Sequence, residues 1–248
     1  MQLKDATVLI VDDEPVLCEI KSAWLSRVAG RVLVASNGAE AMEVLAANHV
    51  DLVITDIRMP VMDGVTLLKK ITASGSPGPK VIFITGFSDF DPRDAYDLGA
   101  DAILEKPMDR DDLLQVVKRS LTTRHELWRT PVDVMPAAVL HASFASLAAA
   151  LHERKIAFGR GGFCIAVSQD LQEGPIEILL EFREEGNILQ GQGIVRWVSA
   201  AEGLAGIELL YLAPVSCEWV AELAEHNEIP AYIPRSPSPQ QPMIAKTA

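Results

Sequence analysis

Short apolar runs alternate with amphipathic stretches over the first half of the chain. Residues 7–11 (TVLIV), 32–35, 52–55 (LVIT), 80–85 (KVIFIT) and 102–104 are compact and rich in β-branched side chains, the pattern of strands buried on both faces. Between them, apolar residues recur every three to four positions. Val16, Leu17, Ile20, Trp24 and Leu25 do so after the first run, and residues 39–47, 65–71, 92–98 and 113–121 after the others. Five successive strand–helix units predict a parallel sheet covered by helices on both faces. The expected fold class is therefore an α/β doubly wound domain of five parallel strands and five helices over residues 1–122. Open sheets of this kind bind ligands beyond the carboxyl ends of their strands.

The pattern changes after the fifth helix. Residues 123–143 carry Pro131 and Pro136 and no clear period, which reads as a linker whose start, to Trp128, continues that helix. Residues 163–168, 176–182, 188–198 and 204–212 are strand candidates separated by Gly-rich and polar turns. Strands that follow one another without helices predict an antiparallel sheet or small β-barrel. Pro214 opens a helix with Val215, Trp219, Val220 and Leu223 on one side. A second, smaller domain is thus expected over residues 144–229, an antiparallel β-barrel closed by a C-terminal helix. Residues 230–248, rich in Pro, Ser and Gln, read as a disordered tail.

Composition narrows the function. The 248 residues are 49% apolar, enough for two cores. Asp and Glu number 34 against 22 Lys and Arg, a formal charge of −12. So acidic a chain gains no electrostatic attraction to nucleic acid or anionic lipid, and neither is expected as a partner. Cys18, Cys164 and Cys217 are far apart and the five histidines are scattered, so no metal-ligand spacing appears. The first residues lack a signal-peptide layout, and no apolar run reaches the roughly 18–20 residues of a membrane helix. The expectation is a cytoplasmic protein without membrane insertion.

Chemistry concentrates at the strand ends. Asp12 and Asp13 follow the first strand, Asp56 follows the third, Thr85 closes the fourth, and Lys106 stands just past the fifth, before Pro107. One acidic residue after a strand is most often a helix cap. Three along one sheet edge repel one another unless a cation joins them, and hard oxygen donors suit Mg²⁺. A lysine and a threonine hydroxyl beside them supply a positive charge and a donor for an oxyanion. Together these groups can place a phosphoryl group on a carboxylate.

In order and spacing, VLIVDDEP, DLVITDIRMPVMDG, VIFITG and EKP resemble the receiver domain of bacterial two-component response regulators over residues 5–121. The resemblance implies strand order 2-1-3-4-5 and Asp56 as phosphoryl acceptor. It implies Mg²⁺ held by Asp13, Asp56 and the backbone carbonyl of Arg58, with Asp12 reaching the metal through water. Lys106 would pair with the phosphoryl group, and the Thr85 hydroxyl would move to bond it. The implied donor is a sensor histidine kinase, and no enzyme activity is implied beyond phosphorylation and dephosphorylation of the domain itself. Receivers often carry an aromatic residue where Ile103 stands, so no aromatic swing is expected here. Arg58 and Phe87 flank the site and are expected to shield it.

IAFGRGGFCI (156–165), IEILLEF (176–182), GQGIVRWV (191–198) and GIELLYL (206–212) resemble a PilZ domain, a small β-barrel associated with cyclic di-GMP signalling. That family grips its ligand with an RxxxR pair and a D/NxSxxG turn. Here Ala157 takes the Asp/Asn position and Gly159 the Ser position, and only Gly162 remains. Arg124 and Arg129 are five apart, and Arg154 and Arg160 six apart, so these four are candidates only for a shifted clamp. The expectation is weak or absent cyclic di-GMP binding and an output by contact with an unknown protein target. Two alternatives stand beside it. One is a dual sensor whose second domain binds cyclic di-GMP. The other is a DNA-binding transcriptional regulator, against which the acidic C-terminal half and the lack of a basic helix-turn-helix pattern count. The oligomeric state is left open.

Overall fold

The computed structural model describes residues 3–74, 78–86, 90–167, 171–226 and 231–237. Two compact units emerge, Met1–Asp91 with Leu98–Thr123, and Pro92–Asp97 with Arg124–Ala248.

In chain order the first half forms β1 (Thr7–Val11), α1 (Pro15–Leu25), β2 (Arg31–Ala35), α2 (Gly38–Ala47) and β3 (Leu52–Asp56). It continues with α3 (Gly64–Ala73), β4 (Lys80–Thr85), α4 (Pro92–Leu98), β5 (Ala102–Glu105) and α5 (Arg110–Leu121). The strands are all parallel, as the sequence pattern predicts, and lie in the order β2-β1-β3-β4-β5 that the resemblance implies. β3 is buried along its whole length, which is why it reads as an unbroken apolar run. Val8, Ile10, Ile54 and Ile82 pack against Leu25, Leu113 and Val117 of the helices. Local signals fix the helix starts. Asn37 accepts from the N–H groups of Ala39 and Glu40, Asp63 from that of Thr66, and Asp109 opens α5 with a capping box. The strand order reverses between β1 and β3, so a crevice opens beyond their carboxyl ends.

The second half forms α6 (Arg124–Arg129), β6 (Ala138–Phe144), α7 (Leu147–His152), β7 (Ile156–Phe158), β8 (Gly162–Ala166) and β9 (Gly174–Phe182). After these come β10 (Asn187–Ser199), β11 (Leu204–Leu212) and α8 (Pro214–His226). The six strands form one curled mixed sheet, β6-β9-β10-β11-β8-β7, a half-barrel. Three expectations change here. β6 runs parallel to β9, so the sheet is not purely antiparallel, and among the described residues its edge strands β6 and β7 are not paired with each other. Residues 123–143 are not a plain linker, since they contain α6 and most of β6. α5 stops at Leu121 because Thr122 takes an extended backbone (ψ 138°). Trp128 of α6 is fully buried, and its Nε1 donates to the carbonyl of Leu209 at 3.2 Å.

The third change concerns the tail. Ala231, Tyr232 and Ile233 are buried. The N–H groups of Arg160 and Gly161 donate to the carbonyls of Ala231 and Tyr232, both at 2.9 Å, and the N–H of Tyr232 donates to the carbonyl of Tyr96 at 2.8 Å. The Tyr232 hydroxyl donates to Glu208 Oε1 at 2.8 Å, while Arg196 Nε donates to Glu208 Oε2 at 2.7 Å. An aromatic ring and an isoleucine give this short stretch the apolar area that the tail's average composition conceals. Residues 238–248 lie outside the described residues. The three cysteines are buried and free. Burial, followed by the charges of Glu202 and Asp97, pushes the Cys164 thiol up to about 12.

Candidate functional site

The loop between β3 and α3 seats Asp56 at the crevice. Gly64 approaches so closely that a Cβ there would stand 2.3 Å from the carbonyl oxygen of Asp56, and its N–H donates to the carbonyl of Ile57 at 2.9 Å. No larger residue fits that approach. The price of the loop is Val61, whose φ of 67° lies in the left-handed region. Asp56 is 8% exposed. Its Oδ1 accepts from the N–H of Arg58 at 3.2 Å, and its Oδ2 is ion-paired with Lys106 Nζ.

Burial works to lower the Lys106 pKa. The hydrogen bond and charge of Asp56, with Asp12 and Glu14 further off, outweigh it and hold the ammonium above its ordinary value. Lys106 is therefore firmly cationic beside the carboxylate. Thr85 ends β4, partly exposed, with its hydroxyl donating to the Gly86 carbonyl at 2.9 Å. Ile103 sits on β5 opposite Phe83 of β4. Phe87 lies outside the described residues. Phe90 lines a cleft together with Asp13, Arg58, Met59, Pro60 and Asp63.

The two adjacent acids after β1 part company. Asp13 is exposed and borders the cleft. Asp12 is buried and ion-paired with Lys21, a residue that sequence reasoning passed over. The available signal was a charged residue between Cys18 and Leu25 on the inward face of α1. Among the described residues, no three His, Cys, Asp or Glu side chains gather as a metal-holding group. Asp13 and Arg58 line the cleft, and Asp56, bonded to the Arg58 N–H, ends β3 just before the lining residue Ile57, so two carboxylates and a backbone carbonyl are available there. These hard oxygen donors fit a small divalent cation that keeps several of its waters.

The four candidate arginines fall in three places, since Arg124 and Arg129 open and close the same helix, α6. Arg129 ends α6, exposed, Arg154 lies in the turn after α7 with φ 55°, and Arg160 lies between β7 and β8, 5.9 Å over the Tyr232 ring. The side chain of Arg124 lies outside the described residues.

Residues 8–118 match the family described as response regulator receiver domain. They form a response regulator receiver domain. The chain is 36% identical over 137 residues to the transcriptional regulatory protein GlrR of Escherichia coli, an alignment covering 53% of this chain and 31% of GlrR. It therefore spans about a third of that relative's length. It is 39% identical over 101 residues to the sensor kinase/phosphatase LuxN of Vibrio campbellii, covering 41% of this chain and 12% of LuxN. A crystal structure of a receiver domain protein from Clostridium thermocellum is 31% identical, with a TM-score of 0.43, over 47% of this chain and 94% of that one. The matched residues 8–118 run from β1 into α5 and end before α6.

Proposed function

We propose that this protein is a response regulator whose receiver domain takes a phosphoryl group on Asp56 from a sensor histidine kinase. The observation that carries the reading is the geometry at Asp56. One oxygen is held by the Arg58 N–H and the other by the Lys106 ammonium, at the crevice where the sheet order reverses. A carboxylate so fixed is oriented for attack on phosphorus. As its oxygen–phosphorus bond forms, the phosphorus–nitrogen bond of a phosphohistidine breaks, and the electron pair leaves on the imidazole. Lys106 is placed to neutralise the phosphoryl oxygens once they join Asp56, and the Thr85 hydroxyl, at the end of β4, would leave the Gly86 carbonyl to donate to them. Asp13, Asp56 and the Arg58 carbonyl would hold Mg²⁺, which supplies charge neutralisation for the transferring group.

The second unit is assigned as the output, a PilZ-like module acting by protein contact and without catalysis of its own. Two observations support this. The β7–β8 turn, where a PilZ ligand would be gripped, is covered by residues 231 and 232. Residues 92–97 group with the second unit only seven positions after Thr85, which gives phosphorylation a short covalent route toward it. Among the described residues no helix is long and apolar enough to cross a membrane.

The deciding experiment treats the full chain with acetyl phosphate and Mg²⁺ and reads intact mass. One phosphoryl group should be added, and none in Asp56→Asn or after metal removal. Unchanged phosphorylation of Asp56→Asn would remove the assignment.

A further inference from the structure

Asp12 and Asp13 are neighbours in sequence with opposite surroundings. Asp13 is exposed, whereas Asp12 is 1% exposed. Asp12 Oδ1 accepts the N–H of Glu14 at 2.9 Å, and its Oδ2 is ion-paired with Lys21 Nζ. Protein groups therefore satisfy both oxygens. The side chains of Lys21 and Asp12 are 4% and 0% exposed. The buried residues of α1 are Cys18, Lys21 and Leu25, so the ammonium arrives from a position that helical periodicity reserves for an apolar residue. A buried ammonium persists only where a partner charge is fixed beside it. The Cys18 thiol donates to the Asp12 carbonyl at 3.3 Å, tying the same acid to α1 through its backbone.

We propose that Lys21 is a positioning residue of the phosphoacceptor site, holding Asp12 away from the Mg²⁺ position and acting as a resident cation that weakens metal binding. The inference rests on the phosphoacceptor reading above. Asp13, Asp56 and the Arg58 carbonyl would hold Mg²⁺ while Asp12 stays engaged with Lys21. The site would then carry the fixed charge of Lys21 in addition to that of Lys106. Fewer anionic donors and an extra positive charge both lower its affinity. Lys21 thereby sets the Mg²⁺ concentration at which Asp56 becomes reactive. The sequence motif alone, with its paired aspartates, suggests a stronger metal site than the folded chain presents.

The test is calorimetric titration of the full chain with MgCl₂. Lys21→Met and Lys21→Gln should each bind Mg²⁺ at least about fivefold more tightly than the unchanged chain, the order expected for losing one charge near a partly buried site. Lys21→Arg keeps the charge and should bind like the unchanged chain. With Asp12→Asn as background, Lys21→Gln should gain less, because the freed carboxylate is gone. Mg²⁺ should also raise the melting temperature of Lys21→Gln by more than it raises that of the unchanged chain. Should Lys21→Met lose its fold by circular dichroism, Lys21→Gln, which removes the charge but keeps a polar side chain, decides alone.

Unchanged or weaker Mg²⁺ binding in whichever of Lys21→Met and Lys21→Gln is folded overturns the proposal. A different failure marks the underlying reading. Asp13→Asn should lose Mg²⁺ binding, and if it binds as the unchanged chain does, the site assignment falls whatever the lysine variants show.

Discussion

Tyr232 covers Gly161: a Cβ added at residue 161 would lie 2.1 Å from the tyrosine ring. The same two residues share a backbone hydrogen bond of 2.9 Å. A stretch at the edge of a polar tail is thus part of the second unit's core. Tyr232→Ala should cost on the order of 3–5 kcal/mol, as loss of a buried aromatic does. Tyr232→Phe should cost about 1 kcal/mol, the worth of one hydrogen bond. Truncation after Pro230 should lower stability at least as much as Tyr232→Ala. Urea unfolding followed by tryptophan fluorescence checks the series, and a truncated chain as stable as the full one would refute it.

The ion pair of Arg196 and Glu208 should be worth more as a pair than as its parts. Glu208 is 3% exposed and serves both Arg196 and the Tyr232 hydroxyl. Glu208→Ala strands the guanidinium and should destabilise by about 2–4 kcal/mol, below the full buried-pair value because Arg196 is partly exposed. Combining Arg196→Met with Glu208→Leu removes both charges and should cost less than Glu208→Ala alone. Chemical denaturation midpoints of the three variants decide it.

The residues that sequence reasoning placed best are those whose signal is local. The strands of the first sheet are near-continuous apolar runs, and the acids after them need only a strand boundary to be placed at the crevice. What escaped depends on distant partners. Nothing near Ala138–Phe144 states that it pairs parallel to a strand more than thirty residues on. Tyr232 is informative only once Gly161 and Glu208 are beside it. Lys21 looks like any surface lysine until α1 turns it onto Asp12.

Val61 offers a gain in stability. Its φ of 67° is unfavourable for a β-branched residue, and its side chain, 85% exposed, has little packing to lose. Val61→Asn, which tolerates the left-handed region, should stabilise the receiver by about 0.5–1 kcal/mol. A rise in melting temperature is expected, and a fall would mean the valine makes contacts that outweigh its backbone strain.

Alkaline pH should loosen the Lys106–Asp56 pair. The Lys106 pKa is raised above its ordinary 10.5 in the folded chain. Its contribution to stability is therefore complete below that value and disappears as pH rises through the raised one. Urea midpoints measured from neutrality to beyond pH ~10.5 should fall more steeply for the unchanged chain than for Lys106→Met. Parallel curves would show that the pair contributes nothing to folding.

The buried cysteines give each unit its own clock. Cys18 lies in the first unit, and Cys164 and Cys217 in the second, all out of reach of a reagent in water. A small alkylating agent can therefore mark each thiol only when its surroundings open. The mass gained by each cysteine peptide over time measures how often that part of the molecule breathes. Because the Cys18 thiol leans on the Asp12 backbone, its labelling rate also registers whether α1 keeps its grip on the acidic crevice.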